Sequence, residues 1–262
     1  MINLKHYLHH LSKVTLMSYE SVAIYRFDFS FRIIRPILEI IVTLTLLNAL
    51  FSHSATLGTW TITETALVTA ISLLTVGLVT LFFGNGLEGL HREIVTGTFD
   101  RLLLQPMDAQ WLASTRIVFV TNIFRVAFNV VFFYFIVIRL NQAPSLGDWL
   151  LFGLAFISAL VIYYSLMFSA SIVSFWALSG ELFYLFNSVT SVAKYPIDIF
   201  GSLLRFFLTF LPVIFLATVP AQALLGKPTL LVYLSPFIAC LALWLTRRFW
   251  HVGLRSYESA SS

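Results

Sequence analysis

The chain has 262 residues, of which 59% are hydrophobic and only 11% charged, with a net charge of +4. A soluble domain has no interior large enough to hide that much apolar surface, which excludes that class and points to an α-helical protein crossing a bilayer several times. The small, scattered positive charge gives no basis for nucleic-acid binding, and the single cysteine, Cys240, excludes an intrachain disulfide and reads as a packed thiol.

Residues 1–32 hold Lys5, Lys13, Arg26 and Arg32 without a compact apolar core ending in small residues, so no cleavable signal peptide is expected. Leu4, Tyr7, Leu8 and Leu11 recur at helical spacing while Lys5, His6, His9, Ser12 and Lys13 take the other face. That pattern predicts an amphipathic helix lying on the membrane surface. His6, His9 and His10 have no carboxylate or cysteine nearby, and no metal site is expected there.

The first apolar stretch covers 33–51, interrupted by Glu39, and the second covers 62–83. Each is long enough to cross hydrocarbon. The connection 52–61 has no Lys or Arg, whereas basic residues precede the first span, so the N-terminus is expected in the cytoplasm. A third stretch, 109–138, is longer than a bilayer requires and contains Arg116 and Arg125, so its first part should project below the membrane. A fourth spans 149–176. The last, 230–249, ends in Arg247 and Arg248 with Trp250, His251 and Arg255 following, which reads as an aromatic and basic anchor at the cytoplasmic interface.

With both termini cytoplasmic, the number of spans is even, and the stretch 179–228 must supply one more. Hydropathy favours 203–225, yet Pro212 and Pro220 break it into pieces suited to a pair of short helices that enter and return. The alternative, 182–201, is more polar and holds Lys194, Pro196 and Asp198.

Residues 84–108, set between spans two and three on the expected cytoplasmic side, are the most informative. Glu88, Glu93 and Asp100 balance Arg92 and Arg101, while Leu90, Ile94, Phe99, Leu102 and Leu103 are spaced to seat in a groove. Such a segment suits docking on a soluble partner.

The order of these features resembles the permease subunits of type-2 ATP-binding-cassette exporters along nearly the whole chain. The resemblance rests on the N-terminal amphipathic helix, and on His91-Arg92-Glu93, Gly97-Thr98, Phe99, Asp100, Leu102-Leu103 and Pro106, which are similar to that family's coupling helix. Lys194-Tyr195-Pro196 and Leu211-Pro212 resemble its outer re-entrant helices, and Trp250 with Gly253-Leu254-Arg255-Ser256-Tyr257 resembles its viologen-exporter-like branch. The resemblance implies an all-α membrane fold of six transmembrane helices, with 182–201 as the fifth span and 203–225 as a re-entrant pair. It also implies an ATPase-coupling interface at Arg92, Glu93, Gly97, Thr98, Phe99, Asp100 and Arg101, with Phe99 as an apolar plug.

No Gly-x-x-x-x-Gly-Lys-Ser/Thr loop occurs, since Gly226-Lys227 is followed by Pro228. The chain is therefore expected to bind no cofactor and to be no enzyme, with ATP-Mg held by a separate ATPase. The implied assembly has two ATPase subunits and two permeases, identical or different, in the bacterial inner (plasma) membrane and in contact with its lipid. Its substrate would be hydrophobic or amphipathic. A cationic drug could meet aromatic faces such as Phe128, Phe132, Phe133 or Tyr134.

Charges at membrane depth are costly and often functional. Arg35 and Glu39 are one turn apart and suggest a local ion pair, and Arg116 and Arg125 suit snorkelling or a carboxylate partner. The alternative from another class is a secondary transporter or channel that binds a proton or cation at Glu39, although no repeat relates the two halves. A membrane enzyme lacks the necessary cluster of His, Asp or Glu within the spans.

Overall fold

The computed structural model describes residues 26–53, 56–116, 122–177 and 181–257. The expected surface helix over 4–11 and the histidines beside it lie outside the described residues.

Helix α1 (Arg26–Phe51) turns Thr43 and Leu47 inward and leaves Ile34, Leu38, Ile41 and Val42 exposed. A two-residue antiparallel ribbon, β1 (Thr56–Leu57) and β2 (Trp60–Thr61), closes the connection through Gly58, whose φ of +62° suits a residue without a Cβ. Thr61 then caps α2 (Ile62–Val79): its hydroxyl accepts from the Glu64 amide, and the Glu64 carboxylate accepts from the Thr61 amide at 2.9 Å. Leu67, Val68, Ala70 and Ile71 of α2 are all at 0% exposure. A helix apolar all round belongs in the middle of a helical protein, and α2 is packed there by its neighbours.

The second span was expected to stop at 83 and give way to a loop. The helix instead continues through a π turn (Thr80–Gly84) into α3 (Asn85–Val95), so Ile62–Val95 is one helical run of 34 residues. Gly84 and Asn85 keep right-handed helical backbone, and neither ends the run. The chain next forms the short α4 (Asp100–Leu103) and α5 (Ala109–Thr115), which Asp108 caps by accepting from the Trp111 amide at 3.0 Å. Helix α6 (Asn122–Val137) follows. The expected single stretch 109–138 is thus two helices, with 117–121 outside the described residues.

Helix α7 (Leu146–Ile172) starts with a Ser145–Asp148 capping box and runs on through a 3-10 turn (Val173–Phe175). Helix α8 (Glu181–Thr190) gives way to 3-10 turns at Ser191–Lys194 and Ile197–Ile199, then come α9 (Ser202–Phe210), a 3-10 turn (Val213–Leu216) and α10 (Thr218–Leu224). The last helix, α11, covers Leu230–Arg255.

Side-chain contacts fix the directions. Lys227, just before α11, binds Glu64 in the first turn of α2 at 2.7 Å, and Gly226 lies against Asp148 at the start of α7. Helices α2, α7 and α11 therefore begin at one end of the molecule and finish together at the other, where Phe99, Phe175 and Trp250 meet. Helix α6 runs against them: Asn129 donates to the Leu73 carbonyl at 2.8 Å, and Phe133 nearer its end packs on Trp149 and Phe152.

Among the described residues, four helices have the length and apolarity to cross a membrane, Ile33–Phe51, Ile62–Val95, Leu146–Phe175 and Leu230–Arg255, and Asn122–Val137 is a shorter apolar helix. The segment 182–201 is a ten-residue helix with 3-10 continuation, which ends where Tyr195 takes the extended backbone favoured before a proline. It nevertheless covers much of the height of α2 and α3. Tyr184 donates to Glu88 at 3.0 Å, and the Lys194 carbonyl accepts from Thr69 at 2.7 Å. Residues 203–225 dip and return: the Leu216 carbonyl accepts from Thr75 at 3.0 Å, about 16 Å along α2 from the Glu64–Lys227 pair.

Candidate functional site

The segment 84–108 folds as a compact knuckle at the shared far end of α2, α7 and α11. Leu87, Leu90 and Ile94 form the buried stripe of α3, while Glu88 and Arg92 face outward. Gly86 allows α3 to touch α5: a Cβ there would sit 2.4 Å from the Ser114 carbonyl oxygen. The Gly86 carbonyl is in turn capped by Arg116, which donates to it at 2.8 Å and pairs with Glu93.

Gly97, at φ +70°, turns the chain out of α3, a left-handed conformation that favours glycine. The Thr96 and Thr98 hydroxyls, 3.0 Å apart, brace the outer side of this turn. The turn delivers Phe99 inward. Its ring is fully buried and meets Phe175, Trp250 and Tyr257 edge-on, with centroids 5.6, 6.0 and 5.1 Å away. Asp100 accepts the Tyr257 hydroxyl at 2.9 Å. Burial first, then that hydrogen bond and the Asp100 charge, push the Tyr257 phenol up to about 12.

Asp108 ties the other edge of the knuckle to α11. Arg247 donates to both its oxygens, at 3.1 and 2.5 Å, and also to Gln110 at 2.9 Å. Burial pushes the Asp108 carboxyl up but is outweighed by the Arg247 guanidinium and the Trp111 amide, so it lies below its ordinary value. A carboxyl depressed in the folded chain adds stability that is complete above its unfolded value and is lost as pH falls through that range. Acidification from pH 6 to pH 3 is therefore expected to lower the melting temperature of the native protein more than that of Asp108→Asn. Differential scanning fluorimetry across that range checks it, and equal slopes would dismiss the contribution.

The seven residues expected to form the interface divide into two sets. Arg92, Thr98 and Arg101 are exposed. Glu93, Gly97 and Asp100 are half-buried and engaged within the chain, and Phe99 is turned completely inside, so the expected apolar plug is an internal anchor in this structure. The exposed apolar face belongs instead to Val95, Leu103 and Leu104, at 46%, 41% and 85% exposure. Leu104 stands two residues before Pro106, which was the available signal for it. Glu93, Thr98, Arg101, Gln105 and Arg116 surround a hollow of about 250 Å³ beside this face.

Three further expectations change. Trp250 is 1% exposed in the Phe99 cluster, because the last helix continues to Arg255 and packs its end against the knuckle. Cys240 is exposed on α11 rather than packed. The Arg35–Glu39 pair is replaced by a longer-range one: Glu39 accepts from Lys194 at 2.9 Å and from Arg125 at 3.2 Å.

Residues 37–261 match the family model described as ABC-2 family transporter protein. The chain belongs to that family. No curated protein and no solved structure matches it. As an ABC-2 chain it is a multi-pass membrane permease of an ABC transporter, a family whose ATPase sits on a separate subunit. The knuckle at 84–108 lies within the matched region.

Proposed function

We propose that this ABC-2 chain is the permease half of an exporter in the bacterial inner membrane, close to the viologen-exporter-like branch, and that residues 84–108 are where its ATPase pushes. In this reading both termini and the knuckle are cytoplasmic, two ATPases serve two permeases, and a hydrophobic or amphipathic substrate passes between alternating inward and outward forms. The observation that carries it is the way the knuckle is bound to several helices at once. Phe99 and Asp100 join it to α11 and the end of α7, Asp108 joins it to α11, and α3 is continuous with α2. A push on the knuckle therefore reaches three long helices through packed contacts, and no substrate chemistry is needed.

Arg92, Thr98, Arg101, Val95 and Leu104 form the contact surface in this reading, and the hollow beside Arg101 receives a partner side chain. Glu93, Gly97, Phe99 and Asp100 hold its shape. Glu39, engaged by two cations, offers a poor site for a transported proton or cation, which argues against the channel alternative.

Affinity purification of the chain from its native membrane tests the reading. An ABC ATPase is expected to accompany it, and Arg101→Glu with Leu104→Asp is expected to abolish capture while leaving the melting temperature within a few degrees of native. Capture that survives the double replacement would move the interface elsewhere. Absence of any ATPase from the native preparation would end the exporter reading.

A further inference from the structure

The ion-pair knot of Glu39, Arg125 and Lys194 takes no part in the knuckle. It joins α1, α6 and the 3-10 turn after α8. Lys194 is fastened by its carbonyl to Thr69, about 10 Å along α2 from its first residue, and Glu39 lies about 18 Å before the end of α1. In a hydrocarbon layer of about 30 Å, that places the knot near the middle.

Its charges do not cancel. Two cations face one carboxylate, and Arg35, exposed one turn away on α1, adds a third positive charge. No acid on the packed elements makes up the difference among the described residues. Asp28, the other acid of α1, lies about 16 Å along the helix from Glu39, helix α6 and the turn bearing Lys194 contain none, Glu64 of α2 is engaged by Lys227, and Asp198 by Arg205 at 2.8 Å. The Arg125 Nε also finds no acceptor among the described residues. Glu39, Arg125 and Lys194 are half-open, with side chains at 22%, 29% and 27% exposure, and Leu38, Ile41 and Val42 extend an exposed apolar strip on α1 beside them. Excess positive charge at this depth is unfavourable in lipid and favourable beside an anion.

We propose that this knot is a substrate subsite for an anionic amphiphile, a lipid-like molecule with a phosphate or carboxylate head. The head exchanges with Glu39 for Arg125 and Lys194, and the tail lies along the apolar strip of α1. Glu39 is then the internal counter-ion that holds the two cations in place when the subsite is empty. The guanidinium offers a forked pair of donors and the ammonium a point charge, a combination suited to a phosphate oxygen cluster. This names a substrate class for the exporter reading and rests on it, and it sets a cationic drug aside.

The test is binding of two fluorescent probes with the same labelled alkyl chain, one ending in phosphate and one in trimethylammonium, to the full-length permease in zwitterionic-lipid nanodiscs. The alkyl phosphate is expected to bind at least tenfold more tightly. Lys194→Gln should erase most of that preference. Glu39→Gln should strengthen phosphate binding several-fold by removing the competing carboxylate, an effect that a purely structural ion pair does not produce. Equal binding of the two probes, preference for the ammonium probe, or weaker phosphate binding in a well-folded Glu39→Gln protein would overturn the proposal. Displacement of the probe by inorganic phosphate at equal concentration would overturn the amphiphile and leave a simple anion site. Because binding is read without the ATPase, its failure is separable from failure of the ATPase capture described above.

Discussion

Replacing Phe99 by alanine is expected to destabilise the chain by about 3–5 kcal/mol, the usual cost of removing a fully buried aromatic ring. The ring is at 0% exposure and touches three others, from the end of α7 and from two positions at the end of the chain. Its removal opens a void between the knuckle and both long helices, so the effect on transport should exceed the effect on folding. At a temperature where Phe99→Ala is still folded, the ATPase is expected to remain bound and to hydrolyse ATP while transport falls by an order of magnitude or more. Phe99→Leu, which fills most of the space, should keep much of the activity. Loss of ATPase capture by Phe99→Ala with a native melting temperature would instead make Phe99 a contact residue, as its place in the sequence suggests.

The second large effect concerns Glu93. Its partner Arg116 has only 12% of its side chain exposed, against 26% for Glu93, and the guanidinium also caps the Gly86 carbonyl. Glu93→Gln leaves a mostly buried positive charge without its carboxylate. Removing one member of a buried pair costs about 3–5 kcal/mol, and the partial exposure of Glu93 puts this one near the lower figure. Adding Arg116→Met should recover most of the loss, because it removes the stranded charge as well. The comparison, made by denaturant unfolding of the purified protein, separates structure from contact. An Arg101→Gln change on the open surface should move stability by only about 0.5 kcal/mol or less. If Glu93→Gln is native in stability and yet loses the ATPase, Glu93 belongs to the interface after all.

The membrane character and the position of the informative segment were legible from composition and residue order, because lipid imposes long apolar stretches and leaves the connections to stand out. Individual side-chain roles were less so. The order of Gly97, Thr98, Phe99 and Asp100 marks a turn but is silent on which side of it faces inward, and that depended on Phe175, Trp250 and Tyr257, distant in sequence. Glu39 shows the same limit. Helical spacing offers Arg35 as a neighbour, while Arg125 and Lys194, 86 and 155 residues away, reach it only through tertiary packing. Gly84, Gly86 and Gly89 look like loop punctuation. In the structure Gly86 lets two helices touch, so glycine here marks a crowded helix.

The unbroken helix from Ile62 to Val95 fixes a rotational phase. Each α-helical residue along it advances the direction of its side chain by about 100° and its height by about 1.5 Å, and the π turn at Thr80–Gly84 adds its own fixed offset. The bearing of Arg92 toward a partner is therefore set by the bearing of Leu73 and Gly77 in the interior, as two hands on one shaft are set by the shaft. A flexible loop would let the knuckle drift in length and angle across related sequences. Here, between Thr80 and Val95, substitutions leave that timing intact, whereas insertions and deletions of one residue alter it.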